Sequence, residues 1–156
     1  GIKQTITVLG TAKKLGYDKM KFLGSSASFH TAIAKVPGGI TEGFYAAAGW
    51  QDLEARAGDP EVAAWIKSYT QATGEEFPGT GALLGRSAAE LMVRALEAAG
   101  PDLTHASFQA AMESLDYYDK IAGNQVKMGP GDHLGADAIY ISRIEGGSWK
   151  TLASTM

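Results

Sequence analysis

Between Asp59 and Leu115 the sequence carries three helical stretches in succession, with no strand between them. Asp59-Pro60 places an N-cap residue before a proline at the first helical position, and Val62, Trp65, Ile66 and Tyr69 then fall on one face before Gly74. After Pro78-Gly79 a longer stretch runs over about residues 81–99, with Leu84, Ala88, Leu91, Met92, Ala95 and Leu96 on its apolar side. Gly100-Pro101 stops it. Thr104 caps a third stretch that turns Phe108, Ala111, Met112 and Leu115 inward. Such a block rules out a simple alternating chain in which every helix crosses between two parallel strands.

Strands are predicted on both sides of the block. Ile2, Ile6, Leu9 and Ala12 recur every three or four residues, which predicts a helix to about Leu15 with Gly16 as its left-handed cap. Residues 19–24 read as a short strand ended by Ser25-Ser26, and residues 29–35 as a weak helix stopped by Pro37-Gly38-Gly39. Residues 42–48 are apolar without alternation and read as a strand covered on both faces. Beyond the block, residues 125–128 form a short strand and residues 129–132 a turn. Residues 138–145 alternate as a half-buried strand, with Ile139, Ile141 and Ile144 opposite Tyr140, Ser142 and Arg143. Gly146-Gly147 suits a tight hairpin, and residues 149–152 return from it. The class is α/β. The opening residues 1–5 read as the inside of a helix, with neither an initiator methionine nor a leader pattern, and predict a chain cut from a longer one.

With 45% hydrophobic residues among 156, the chain is too apolar to be disordered. It lacks the ~20-residue apolar run of a bilayer span. A net charge of -3 argues against nucleic acid, which selects a basic stripe. The absence of cysteine excludes disulfides, thiolate metal sites and cysteine nucleophiles. Six lysines fall in the first 35 residues against Asp18 alone, which suits a solvated helix face or a partner patch.

Reactive chemistry is hard to assemble from these residues. His30, His105 and His133 are far apart and lack a second ligand at metal spacing. Residues 79–87 look superficially like a phosphate loop, but five residues separate Gly79 from Gly85 and Arg86 stands where lysine is needed. What remains is a glycine-rich start to a helix, whose first amides either face a ligand or pack closely. Ser25, Ser26 and Ser28 stand at a strand end, where α/β proteins place ligand groups, yet no nucleophile elbow surrounds them. Trp50 follows a buried strand and suits a cleft wall, whereas Trp65 belongs to a helical core stripe. These residues describe a binding or structural unit, not an enzyme, and call for no cofactor or metal.

The order of these pieces carries a resemblance. Residues 12–17 lead to Phe22-Leu23-Gly24-Ser25-Ser26, then to Thr41-Glu42-Gly43-Phe44-Tyr45. Ser87-Ala88-Ala89-Glu90-Leu91-Met92 follows within residues 87–100, and Pro130-Gly131-Asp132-His133, Tyr140-Ile141 and Glu145-Gly146-Gly147 close the pattern. Together they resemble the C-terminal part of the branched-chain amino-acid (leucine/isoleucine/valine) binding family, type 1 periplasmic solute-binding proteins of ABC importers.

The resemblance implies a periplasmic-binding-protein-like α/β fold of two Rossmann-like lobes joined by hinge strands, of which this chain is an incomplete portion. Residues 1–48 would belong to lobe 2, residues 49–137 to lobe 1, and residues 138–156 would cross back, with hinges near Ala48-Gly49 and Asp137-Ala138. It implies a substrate-binding component that captures a small organic solute, an amino acid or an aromatic or carboxylic compound, by hinge closure. A ligand-sensing domain of a regulator or receptor is the alternative. The implied partners are the solute, the N-terminal remainder of the same protein and ABC permease subunits, with no nucleic acid and no membrane insertion. The implied location is periplasmic, or extracellular as a lipoprotein, after removal of a signal peptide.

Four ligand-binding residues carry over. Ser25 and Ser26 occupy the loop where the family's amino-acid binders present an acid to the ligand's ammonium, and a hydroxyl cannot supply that charge-assisted bond. Leu83 matches an apolar side chain at the start of the long helix. Arg86 stands where an aromatic is common and meets either a ligand carboxylate or a neighbouring acid. Without the N-terminal part, Val62, Trp65, Ile66, Leu84, Leu91, Met92 and Leu96 are expected to lie partly open. Each such side chain is worth ~1.5–3 kcal/mol when buried, so the chain alone is expected to be aggregated or molten.

Overall fold

Helix α1 (Ile2–Lys14) stops where its sequence predicts: Gly16 turns left-handed at φ 76° and the Tyr17 amide returns to the Ala12 carbonyl. Leu9 and Ala12 form its buried face. The computed structural model describes residues 1–155, so Met156, the end of the last predicted segment, lies outside the described residues. After a turn in which the Met20 amide donates to the Tyr17 carbonyl at 3.1 Å, the chain enters β1 (Leu23–Gly24), much shorter than the predicted strand. A one-turn helix α2 (Thr31–Ala34) precedes β2 (Tyr45–Ala48). Near the end come β5 (Ile139–Glu145) and β6 (Ser148–Thr155), joined through Gly146 and Gly147 at φ 60° and 76°. These four strands make one sheet in the order β1-β2-β5-β6, with β1 and β2 parallel and the other pairs antiparallel.

The core under this sheet is built on aromatics and small residues. Phe29, Ile33, Phe44, Ala46, Ile144 and Trp149 are all buried in it. The Phe29 and Trp149 ring centroids lie 4.8 Å apart, and the Trp149 indole N–H donates to the His30 carbonyl at 3.1 Å. Gly24 is required by close approach: a Cβ there would sit 2.7 Å from both the Phe44 ring and Ser28 Cβ.

Strand β5 departs from its predicted alternation. Ile141 pairs with Ala153 but Ser142 pairs with Thr151, so Leu152 is an extra residue on β6 and the register slips. Ser142 lies on the same face of β5 as the buried Ile144 and is itself buried, meeting the Thr151 hydroxyl at 3.4 Å, while Ile139 is 46% exposed.

The middle of the chain holds α3 (Pro60–Thr73), α4 (Thr80–Ala99) and α5 (His105–Glu113), then a hairpin of β3 (Asp116–Asp119) and β4 (Asn124–Lys127). β3 has no counterpart in the sequence reading, because Asp-Tyr-Tyr-Asp carries no apolar alternation. Asp59 precedes α3 as predicted, but its carboxylate accepts from Arg56 Nε at 3.1 Å and not from a helix amide. Thr104 caps α5 in a reciprocal pair with Ser107. Leu53, Val62, Leu83, Ile121 and Ala122 form a second core, flanked by Trp65, Ile66 and Phe77. Val62 is therefore covered from within the chain, contrary to the expectation that it lies open. Leu84, Met92 and Leu96 stay exposed, and Leu103 and Phe108 line a depression with Met92 and Leu96 without covering them. Among the described residues, no helix is long and apolar enough to cross a membrane.

Candidate functional site

Because β1 and β2 are parallel, their carboxyl ends open at the same end of the sheet, beside the boundary between the two cores. Open α/β sheets present ligand groups at such an end. After β1 the chain coils through one tight turn in which the Ser28 amide donates to the Ser25 carbonyl at 2.8 Å. Ser28 is buried, its hydroxyl 3.1 Å from that of Thr5. Ser25 and Ser26 stand exposed.

Trp50 follows β2 and packs against both cores, its ring centroid 6.3 Å from that of Phe29. Its indole N–H is buried and has no hydrogen-bond partner. A buried donor without an acceptor is costly, by about 1–3 kcal/mol.

The start of α4 faces this end of the sheet. Gly79 is the N-cap and supplies no side-chain cap; its carbonyl receives the amides of Ala82 and Leu83 at 3.0 and 3.2 Å. The His30 ring reaches across, with Cε1 3.9 Å from where a Cβ on Gly79 would stand. Its Nδ1 accepts the Ala32 amide at 3.0 Å, and burial lowers its pKa. The neutral ring therefore carries its proton on Nε2. His30 thereby caps α2, and that bond fixes which nitrogen donates.

Two of the four residues carried over from the resemblance are engaged elsewhere. Leu83 is 2% exposed, inside the second core. Arg86 donates to Asp119 Oδ1 at 2.6 Å and also pairs with Glu90, so it meets a neighbouring acid, the second of its two expected roles. Asp119 is 1% exposed and further accepts from the Ser87 hydroxyl at 2.7 Å and from the amides of Ile121 and Ala122 at 2.9 and 3.0 Å. Burial pushes its carboxyl up, but these amides, the hydroxyl and the guanidinium together outweigh that and hold it below the usual carboxylate range. The residue that occupies Arg86 lies 33 positions away on β3.

The boundary is spanned by few contacts. Lys35 Nζ meets Glu54 Oε1 at 2.7 Å, and the Tyr140 hydroxyl donates to the Gly123 carbonyl at 2.9 Å. Gly123 sits at φ 70°, and a Cβ there would collide with the Arg56 guanidinium, which itself donates to the Ile121 carbonyl at 3.0 Å. Asp52 is buried beside this boundary. Burial raises its pKa, reinforced by Glu54, while the Ala55 amide and Lys35 act in the opposite sense. Ser25 and Ser26 are exposed at this end of the sheet, whereas the Trp50 indole N–H is buried beside it. Among the described residues, no group of three histidine, aspartate or glutamate side chains is placed to hold a metal ion.

The family model described as periplasmic binding protein matches residues 1–148. No curated protein gives a significant sequence match. Among solved structures, a branched-chain amino-acid ABC transporter protein from Thermus thermophilus with bound valine has a TM-score of 0.77 at 19% identity, over 96% of this chain and 42% of that one. A fatty acid ABC transporter substrate-binding protein from Thermomonospora curvata gives 0.76 at 22% identity, over 97% and 40%. A solute-binding protein from R. palustris in complex with benzoate gives 0.69 at 20% identity, over 96% and 39%. These neighbours are solute-binding proteins, and this chain spans about two-fifths of their length. The match over nearly the whole sequence and the shared α/β architecture place the chain in the periplasmic binding protein family, as a portion of its type 1 fold.

Proposed function

We propose that the chain is part of the substrate-binding component of an ABC importer, which captures a small organic solute between two lobes and docks in its closed form on the permease outside the cytoplasmic membrane. Residues 1–48 and the final strands form one lobe's share, and residues 49–137 the other's. The observation that carries this reading is the opening of two parallel strand ends onto the boundary between two separate cores, with the Trp50 N–H unpartnered there. Closure is a shift between open and closed populations, favoured when a ligand contacts both sides.

Ser25 and Ser26 offer hydroxyls where an ammonium would need an acid, and His30 adds a neutral N–H. The favoured solute therefore presents a carboxylate or carbonyl to these groups, as an aromatic or aliphatic acid does. The test is thermal stabilisation of the complete protein by valine, benzoate and a medium-chain fatty acid, with turnover assayed in parallel. A binding solute at a hundredfold above its Kd stabilises by ~2.7 kcal/mol. The expected result is a shift with an acid, without turnover, that Ser25→Ala and Ser26→Ala reduce. No shift with any of the three overturns the proposed solute class.

A further inference from the structure

The chain passes between its two cores twice, and the two passages lie side by side. Residues 48–51 lead out of β2, and residues 137–139 lead into β5. Ala48 pairs with Tyr140, and a Cβ on Gly49 would stand 3.8 Å from the Ala138 carbonyl oxygen. Both passages meet the loop over residues 119–123, in which every carbonyl accepts a hydrogen bond. Asp119 takes the Gly123 amide at 2.7 Å, Lys120 and Ile121 take the Arg56 guanidinium at 2.5 and 3.0 Å, and Ala122 takes the Gln51 amide at 2.9 Å. Gly123 takes two donors, Gln51 Nε2 at 2.8 Å and the Tyr140 hydroxyl at 2.9 Å, which fills both lone pairs of its oxygen. The loop is a firm anchor: the Asp119 carboxylate accepts its Ile121 and Ala122 amides, Arg86 ties that carboxylate to α4, and Ile121 and Ala122 are buried.

Of the two donors on the Gly123 oxygen, only Tyr140 comes from the sheet. Gln51 lies past the first passage with its own amide fixed to the loop, so it travels with the helical part. Any turn of the sheet about the passages therefore strains the Tyr140 bond and spares the Gln51 bond. The Lys35–Glu54 pair across the same boundary is open to solvent and holds less. We propose that the Tyr140 hydroxyl on the Gly123 carbonyl is a latch that holds the two parts at the angle this structure shows, which makes Tyr140 a positioning residue for solute capture. The inference rests on the reading that capture proceeds by a change in that angle. Position 123 accepts glycine alone, because φ is 70° and a Cβ would collide with Arg56. The latch acts on the balance between angles, so its loss changes the affinity of every solute held across the boundary by one common factor.

The test uses the complete protein with spin labels on Lys14→Cys in α1 and Glu97→Cys in α4, both exposed positions. It reads the distribution of label separations alone and with valine, benzoate or a medium-chain fatty acid. Tyr140→Phe keeps the ring and its packing. It should shift the ratio of the two separations about fivefold, away from the one that matches this structure, as loss of one hydrogen bond does. Gln51→Leu strips the other donor from the same oxygen and should leave the ratio unchanged, although it lowers the melting temperature. Solutes that bind should change affinity by the same factor in Tyr140→Phe; unequal factors would make Tyr140 a ligand contact and overturn the latch. A ratio unmoved by Tyr140→Phe, or moved as far by Gln51→Leu, overturns the latch and leaves closure standing. A wild-type protein with a single separation, alone and with each solute, overturns closure and the latch together.

Discussion

The sheet region and the helical region solve the problem of a small core in opposite ways. Residues 1–48 and 139–155 bury aromatics against alanines, with Trp149 at the centre, and their buried polar residues, Ser28, Thr41 and Ser142, are all uncharged. Residues 51–137 have no sheet of their own beyond a two-stranded hairpin, and they hold that hairpin to α4 through one buried carboxylate with four donors. The first region is held together by packing and the second by a polar network beside a smaller core. The difference shows what each lacks: the first leaves a strand edge open, and the second leaves the Leu84, Met92 and Leu96 side of α4 uncovered.

The largest expected effects separate the two designs. Trp149→Ala should destabilise the sheet region by about 3–5 kcal/mol, as truncation of a buried aromatic does. Urea unfolding followed with Trp65 as a reporter of the helical region should then show that region's midpoint nearly unmoved. Coincident shifts in both regions would break the comparison. Asp119→Ala should remove about 3–5 kcal/mol from the helical region, because it strands Arg86, the Ser87 hydroxyl and two amides. A loss confined to the sheet region would contradict the assignment.

Two buried acids give opposite pH responses. The folded pKa of Asp119 is lowered, so its contribution is fully present above the ordinary value of 3.8 and is lost as pH falls through the folded value beneath it. The folded pKa of Asp52 is raised by burial, so its penalty is absent at low pH and grows as pH rises from 3.8 through the folded value. Asp52→Asn should therefore stabilise at pH 7 and leave stability at pH 3 nearly unchanged, while keeping an oxygen for the Ala55 amide. Urea midpoints at the two pH values check it. Equal gains at both would sink the burial argument.

Smaller effects sharpen the boundary. Thr104→Ala should cost about 1 kcal/mol by removing the cap of α5, seen only in the helical region's transition. Lys35→Ala breaks an exposed pair with Glu54 and should change stability by at most ~1 kcal/mol. If its midpoint shift is larger, the two regions are coupled more tightly than their contacts suggest.

Legibility in the sequence followed locality. Gly16, Gly74, Gly100 and the Thr104 cap announce helix ends because each acts within one turn of itself. The approximate positions of β2, β5 and the hairpin at Gly146-Gly147 were legible for the same reason. What escaped depends on distant partners. Arg86 carries no sign that Asp119 holds it, and Leu83 on a glycine-rich helix start carries none that Ile121 and Ala122 lie nearby. The tyrosines of β3 alternate with nothing apolar, so only the ladder to β4 makes that segment a strand. At the candidate site, Ser25, Ser26 and Trp50 were legible as strand-end residues. The proton placement on His30 depended on a bond that spacing alone does not reveal.

The additional residue at Leu152 makes β6 the longer path around the hairpin, as the outer rail of a curve is longer than the inner. Such a strand bends away from its plane and offers a poor template to any newcomer. The four-stranded sheet is therefore asymmetric: the β6 border carries a bulge and the β1 border does not. Deleting Leu152 would straighten the bulged border and make it a template for pairing. A chain altered in that way should form end-to-end chains of sheets, with increasing light scattering at rising concentration, where the natural chain does not.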